Sequence, residues 1–295
     1  MSITPQTATE RELFSQPDIW LRVISESAAH AVILPKAGVP VLFVGCGTSY
    51  YIGESYARLR NAAGLGRTRA VIASEIPYVD EGETVVVLSR SGTTGDVNRV
   101  ARELGAGHRI VGIIGDPETP LPQLCDEYIL LDYADEVSVV QTRFATSALT
   151  ALRASLGQNL SGLVEDARTA LADPVPEPLP DHVVFLGHGW TVGVAQEAAL
   201  KCREAAGMWT EAYAVMEYQH GPIAAAGPGS LIWSFDPLPD FVAEAVLGTG
   251  AALHVPTVDP QAQLATVHRL AVALAGRAGR DPDHPHFLSR SVQLD

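Results

Sequence analysis

Hydroxyl side chains gather twice in this chain, each time at the end of a short apolar run. Thr48 and Ser49 follow Val41-Leu42-Phe43-Val44 and the turn Gly45-Cys46-Gly47. Ser89, Ser91 and Thr94 follow Val85-Val86-Val87-Leu88, within the loop Ser89-Arg90-Ser91-Gly92-Thr93-Thr94. A phosphate can be held by hydroxyls, backbone N–H groups and a helix N-terminus with little help from net charge. Gly92 and Gly95 allow the tight turns that expose such N–H groups. The plain alternative is that each Ser or Thr caps a helix. Five hydroxyls on two strand ends favour the anion reading, with the phosphate on the Ser89–Thr94 loop.

A second group lies further along. Lys201 and Glu204, three residues apart, share one face of a helix expected over about 194–206, and Glu197 precedes Lys201 by four. From spacing alone a surface ion pair is the first reading. His220 stands beside Gly221-Pro222 at a helix break, where its ring could reach a site or simply pack. The other histidines show no metal-ligand spacing, so no metal and no organic cofactor is expected. Gly45-Cys46-Gly47 is only half of a dinucleotide fingerprint, because position 50 is Tyr50. Nucleophile-elbow and P-loop patterns are both missing, which disfavours acyl transfer and ATP hydrolysis.

These residues need a scaffold that places loops together. Apolar strands recur at Val41–Val44, Ala70–Ala73, Val85–Leu88, Ile110–Ile114 and Tyr128–Leu131, separated by helical stretches. Runs that are apolar on both faces suit a buried parallel sheet, with ligands beyond the carboxyl ends of its strands. After the Pro-rich segment Asp173–Pro180, the stretch Val183-Val184-Phe185-Leu186-Gly187-His188-Gly189-Trp190-Thr191 repeats the pattern of Val41–Ser49. The chain therefore reads as a helical lead-in over 1–37, a phosphate-binding lobe over 38–172, a linker over 173–181 and a second lobe with a C-terminal tail over 182–295. In the second lobe Leu231–Phe235 runs into Asp236-Pro237-Leu238-Pro239, without the hydroxyls, and only one or two further strands fit, such as Leu253–Val255.

The bulk numbers agree. A chain of 295 residues, 47% apolar and 18% charged, can build two globular domains. A formal net charge of −14 argues against nucleic acid and anionic membranes as partners, though not against a small anion. Three scattered cysteines without a C-x-x-C pair fit a reducing cytoplasm, and no 18-residue apolar stretch or signal-like start points to a membrane.

Together, Gly45–Ser49, Ala73-Ser74-Glu75, Ser89–Thr94, Ala199–Glu204, Glu211-Ala212-Tyr213 and His220-Gly221-Pro222 resemble the sugar isomerase (SIS) domain family, in particular the isomerase half of glucosamine-6-phosphate synthase. The resemblance implies an α/β fold of two flavodoxin-like, three-layer lobes in tandem. It implies a sugar phosphate as the small-molecule partner, with the phosphate on Ser49, Ser89, Arg90, Ser91 and Thr94, and with Thr48 and the backbone near Val139 close to the sugar. Glu204 matches the carboxylate that moves a proton between C1 and C2, and Lys201 matches a lysine of that site. His220 matches the histidine assisting ring opening, which relatives take from the neighbouring subunit of a homodimer. Such chemistry needs one base that removes a proton α to a carbonyl and returns it one carbon along.

Two differences narrow the expectation. Met1-Ser2 offers no N-terminal cysteine for glutamine hydrolysis, and Arg290 occupies the tail position where the synthase has an imine-forming lysine. A guanidinium stays protonated and forms no imine, although it could pair with a phosphate or hydroxyl of the sugar. The expected activity is an aldose–ketose isomerase or an amino-sugar-phosphate deaminase/isomerase. The alternatives are a phosphosugar sensor without catalysis and an ammonia-dependent aminotransferase.

Overall fold

The computed structural model describes residues 7–293. In chain order the elements are α1 (Ala8–Phe14), α2 (Gln16–Ser25), α3 (Ser27–Ile33), β1 (Val41–Gly45), α4 (Thr48–Ala62), β2 (Thr68–Ile72), β3 (Thr84–Ser89), α5 (Gly95–Leu104), β4 (Ile110–Ile114), β5 (Glu127–Leu130), α6 (Arg143–Ser155) and α7 (Leu163–Ala172). There follow β6 (His182–Gly187), α8 (Thr191–Ala206), β7 (Thr210–Ala214), β8 (Ser230–Ser234), α9 (Asp240–Gly248), β9 (Ala252–His254) and α10 (Pro260–Arg277). Within the described residues, the helical lead-in expected over 1–37 is three short helices; Pro17 can open α2 but cannot continue α1.

Two compact units result. One comprises Ser15–Val137, Gln141–Ser161 and the described residues from Ser289 onward. Its five parallel strands run in the order β2-β1-β3-β4-β5. This is the flavodoxin order, with a switch point between β1 and β3. Successive side chains of a strand point to opposite faces. Leu42, Val44, Val85 and Val87 therefore pack with Val97, Val100 and Ala101 of α5. Phe43 faces the other way and meets Tyr56 of α4, ring centroids 5.8 Å apart.

The other unit comprises the described residues up to Phe14, Ser138–Val140 and Gly162–Leu288. Its four parallel strands run β7-β6-β8-β9. Val184, Leu186 and Ile232 pack against Val242 and Val246 of α9. On the opposite face Phe185, Trp233 and Phe235 form an aromatic layer, and the Trp233 indole donates to Gln263 of α10 at 3.1 Å.

The units are not contiguous in sequence, and side-chain contacts explain why. Asp283 accepts hydrogen bonds from the N–H groups of Ala8 and Thr9, each at 2.7 Å, and so caps α1 within the four-stranded unit. The tail joins the five-stranded unit, where Val292 O accepts from Gly95 N–H at 2.9 Å. The Pro-rich segment does not connect the two units; the chain passes between them after Phe14, on either side of Ser138–Val140, at Ser161–Gly162 and after Leu288. Arg277 of α10 instead ties that segment down by donating to Leu179 O and Pro180 O at 2.8 and 2.7 Å. Among the described residues, no helix is long and apolar enough to cross a membrane.

Candidate functional site

Ser89 ends β3, and Thr48, Ser49, Arg90, Ser91 and Thr94 lie just beyond the carboxyl ends of the adjacent strands β1 and β3. The approach of α4 to β1 requires glycine: a Cβ on Gly45 would stand 2.6 Å from the Ser49 carbonyl carbon and 2.7 Å from Tyr50 N. Gly47, at φ +52°, then turns the chain into the helix. No side chain caps α4 or α5, so the capping alternative for Ser49 and Thr94 fails. The loop instead holds its own turn. Ser89 Oγ accepts from Gly92 N–H at 3.1 Å, Ser91 Oγ accepts from Thr93 N–H at 3.3 Å, and Asn98 donates to Gly92 O at 3.2 Å. Thr48, Ser49, Ser89 and Ser91 are buried, while Thr94 is partly exposed.

The guanidinium of Arg90 is turned inward. It is buried, 3.9 Å from the carboxylate of Glu136, and donates to Arg290 O at 3.4 Å. Glu136 is itself buried and caps α6, accepting from the N–H and hydroxyl of Thr142 at 2.6 and 2.7 Å and from Arg143 N–H at 2.9 Å. Arg290 makes a two-pronged pair with the carboxylate of Asp135, at 2.6 and 2.7 Å, and donates to Glu136 O. Its guanidinium is thus engaged by protein. The tail is also stitched to the loop by Thr93 Oγ1 donating to Ser291 Oγ at 2.8 Å. Asp135 and Glu136 carry no sequence signal, since they stand in an irregular segment; only the buried, otherwise uncapped start of α6 called for a partner such as Glu136.

Lys201, Glu204, His220 and Val139 belong to the four-stranded unit. Lys201 is fully buried on α8, its Nζ 2.5 Å from Glu204 Oε2 and 3.4 Å from Glu197 Oε1. The surface-pair reading is thereby corrected: Glu197 is buried too, and only Glu204 retains access to solvent, its side chain 21% exposed. Facing this cluster from α10, His268 is fully buried. Burial, and then the Lys201 charge, push its pKa down to about 3, so it is a neutral ring. Sequence reading missed His268 because no spacing within α8 points to it. His220 is exposed at the end of the 3₁₀ turn Glu217–His220, which Gly221 ends at φ +131°. Val139 is partly buried in a short segment secured where Ser138 donates to Glu12.

Comparison with known proteins shows what the chain is similar to as a whole. Residues 33–156 match the SIS domain family, and this part of the chain is a SIS domain. Over 99% of its length the chain is 27% identical to glutamine–fructose-6-phosphate aminotransferase of Aeropyrum pernix, covering 59% of that protein. It is 26% identical to the Chlamydia pneumoniae enzyme of the same name, covering 43% of it, so the chain spans about half the length of such relatives. Among solved structures, glucosamine-6-phosphate deaminase of Thermotoga maritima superimposes with a TM-score of 0.79 at 25% identity, covering 98% of this chain and all of that one. Tagatose-6-phosphate ketose/aldose isomerase of Escherichia coli shares the fold, with a TM-score of 0.77 at 18% identity over 97% of this chain and 99% of that one. The chain is thus similar, over nearly its whole length, to proteins named as phosphosugar isomerases, deaminases and aminotransferases.

Proposed function

We propose that this chain acts on hexose or hexosamine 6-phosphates by moving a proton between C1 and C2, as an aldose–ketose isomerase or as an amino-sugar-phosphate deaminase/isomerase. The carrying observation is Lys201, buried between Glu197 and Glu204, with Glu204 the member of the cluster that solvent reaches. Burying an ammonium and a carboxylate is costly. A module that only bound phosphate would have no use for the cluster, whereas proton transfer needs one oriented base. Glu204 takes that role, Lys201 orients it, and His220 exchanges a proton with the ring oxygen during opening.

The phosphate is assigned to the hydroxyls of Ser49, Ser89, Ser91 and Thr94 and to the N–H groups of their loop. Arg90 contributes its backbone, because its guanidinium is engaged by Glu136. Thr48 and the backbone at Val139 are assigned to the sugar, with Arg290 acting through its hold on Asp135 and the loop. The second unit is read as a further SIS-type lobe, and the protein as a cytoplasmic homodimer. The full-length likeness to the Thermotoga maritima deaminase supports the deaminase form, whereas Arg290, which forms no imine, weighs toward isomerisation.

A panel of glucosamine, glucose, fructose and tagatose 6-phosphates tests the reading. Ammonia release and interconversion are followed by NMR. Conversion of one sugar, lost in Glu204→Gln while that sugar still raises the melting temperature, supports it. Equal stabilisation of both proteins with no conversion makes the chain a sensor.

A further inference from the structure

The two sheets share a local geometry that can be compared residue by residue. Val44 lies opposite Val87 in one, and Leu186 lies opposite Ser234 in the other. Each first strand then ends in a glycine overlain by the following helix. A Cβ on Gly187 would stand 2.4 Å from the Thr191 carbonyl carbon, as one on Gly45 would stand 2.6 Å from that of Ser49. Gly189 at φ +57° repeats Gly47 at φ +52°. Ser49 N–H donates to Cys46 O at 3.1 Å, and Thr191 N–H donates to His188 O at 3.2 Å. Thr191 is therefore the counterpart of Ser49. Two residues beyond the register pairs, Asp236 is the counterpart of Ser89.

In the four-stranded unit this position holds an anion, and the anion is part of the chain. One oxygen of Asp236 accepts from His188 N–H at 2.9 Å and from the hydroxyl of the fully buried Thr191. Ser234 Oγ supports the turn by donating to Asp236 O at 2.7 Å. Trp190, at the start of α8, supplies no side-chain cap.

We propose that Asp236 is an internal stand-in for phosphate, closing a second anion cradle and confining phosphomonoester binding to the five-stranded unit. The assignment rests on the reading that Ser49 and Ser89 hold phosphate. A carboxylate fixed on the donors excludes a phosphate both by occupying them and by like charge. It also leaves the start of α8 with permanent anionic compensation, independent of ligand.

The test is the stoichiometry of inorganic phosphate binding to the full chain, by calorimetric titration of the parent and of Asp236→Ser. The expected change is from one phosphate per chain to two. One phosphate on both proteins overturns the proposal and leaves the first site intact. None on the parent and one on the variant upholds the closure of the second cradle by Asp236 but refutes phosphate binding at Ser49 and Ser89, and so overturns the confinement to the five-stranded unit. If Asp236→Ser does not fold in chloride, refolding in phosphate at equal ionic strength is the readout. Recovery in phosphate alone supports the stand-in, and equal failure in both salts overturns it.

Discussion

Lowering the pH from 7.5 to 5 should destabilise the four-stranded unit chiefly through His268. Its ring is fully buried on α10 and faces the Lys201 ammonium, and both effects hold its pKa down at about 3 in the folded chain. An unfolded histidine titrates near 6.5. Between those values the unfolded chain binds a proton that the folded chain refuses, so stability is complete above pH 6.5 and is lost as the pH falls toward 3. The limiting slope is about 1.4 kcal/mol per pH unit, and the loss between pH 7.5 and 5 comes to about 2 kcal/mol. Urea unfolding at half-unit pH steps, for the parent and for His268→Gln, isolates this contribution, because other titrating groups cancel in the difference. The variant should be less stable at pH 7.5, with the gap narrowing or reversing by about 2 kcal/mol at pH 5. A gap that stays constant with pH would refute a neutral, buried His268.

Lys201→Met leaves Glu197 without the ammonium beside it, and a loss of about 3–5 kcal/mol in urea unfolding is expected. Glu197→Gln combined with Lys201→Met should regain most of it. Gly45→Ala drives a Cβ into the backbone at Ser49 and Tyr50, so thermal unfolding should report a loss of about 1–3 kcal/mol. Phosphate affinity, measured by titration, should fall at least about tenfold because Thr48 and Ser49 are displaced. Arg290→Lys keeps the charge but cannot span the Asp135 carboxylate and Glu136 O at once, as Nη2 and Nη1 do. Amide exchange at Gly95, whose N–H donates to Val292 O, should accelerate while global stability drops by no more than about 1 kcal/mol.

Much of this architecture was legible in the sequence. The strands β1, β3 and β4 are short runs apolar on both faces, which specifies a buried parallel sheet without long-range information. The repeat of Gly45-Cys46-Gly47 in Gly187-His188-Gly189 also survives as a repeat of backbone geometry. The shortened second sheet, with β9 as its last strand, was expected from the length between Phe235 and the tail. What was not legible depends on contacts far apart in the chain. The inward turn of the Arg90 guanidinium toward Glu136 and the tail has no local signal, and α1 and the tail found their units through Asp283 and Asp135. The spacing of Lys201 and Glu204 suggested a surface pair because burial by α10 leaves no trace within α8.

The central claim is that Glu204 moves the proton between C1 and C2. Its most direct test is incorporation of solvent deuterium into fructose 6-phosphate or glucosamine 6-phosphate, followed by proton NMR in D2O with the parent and Glu204→Gln. The account predicts exchange at C1 of the ketose or C2 of the amino sugar with the parent, slowed about 10²- to 10⁴-fold in the variant at unchanged substrate affinity. Equal exchange rates in the two proteins would contradict it.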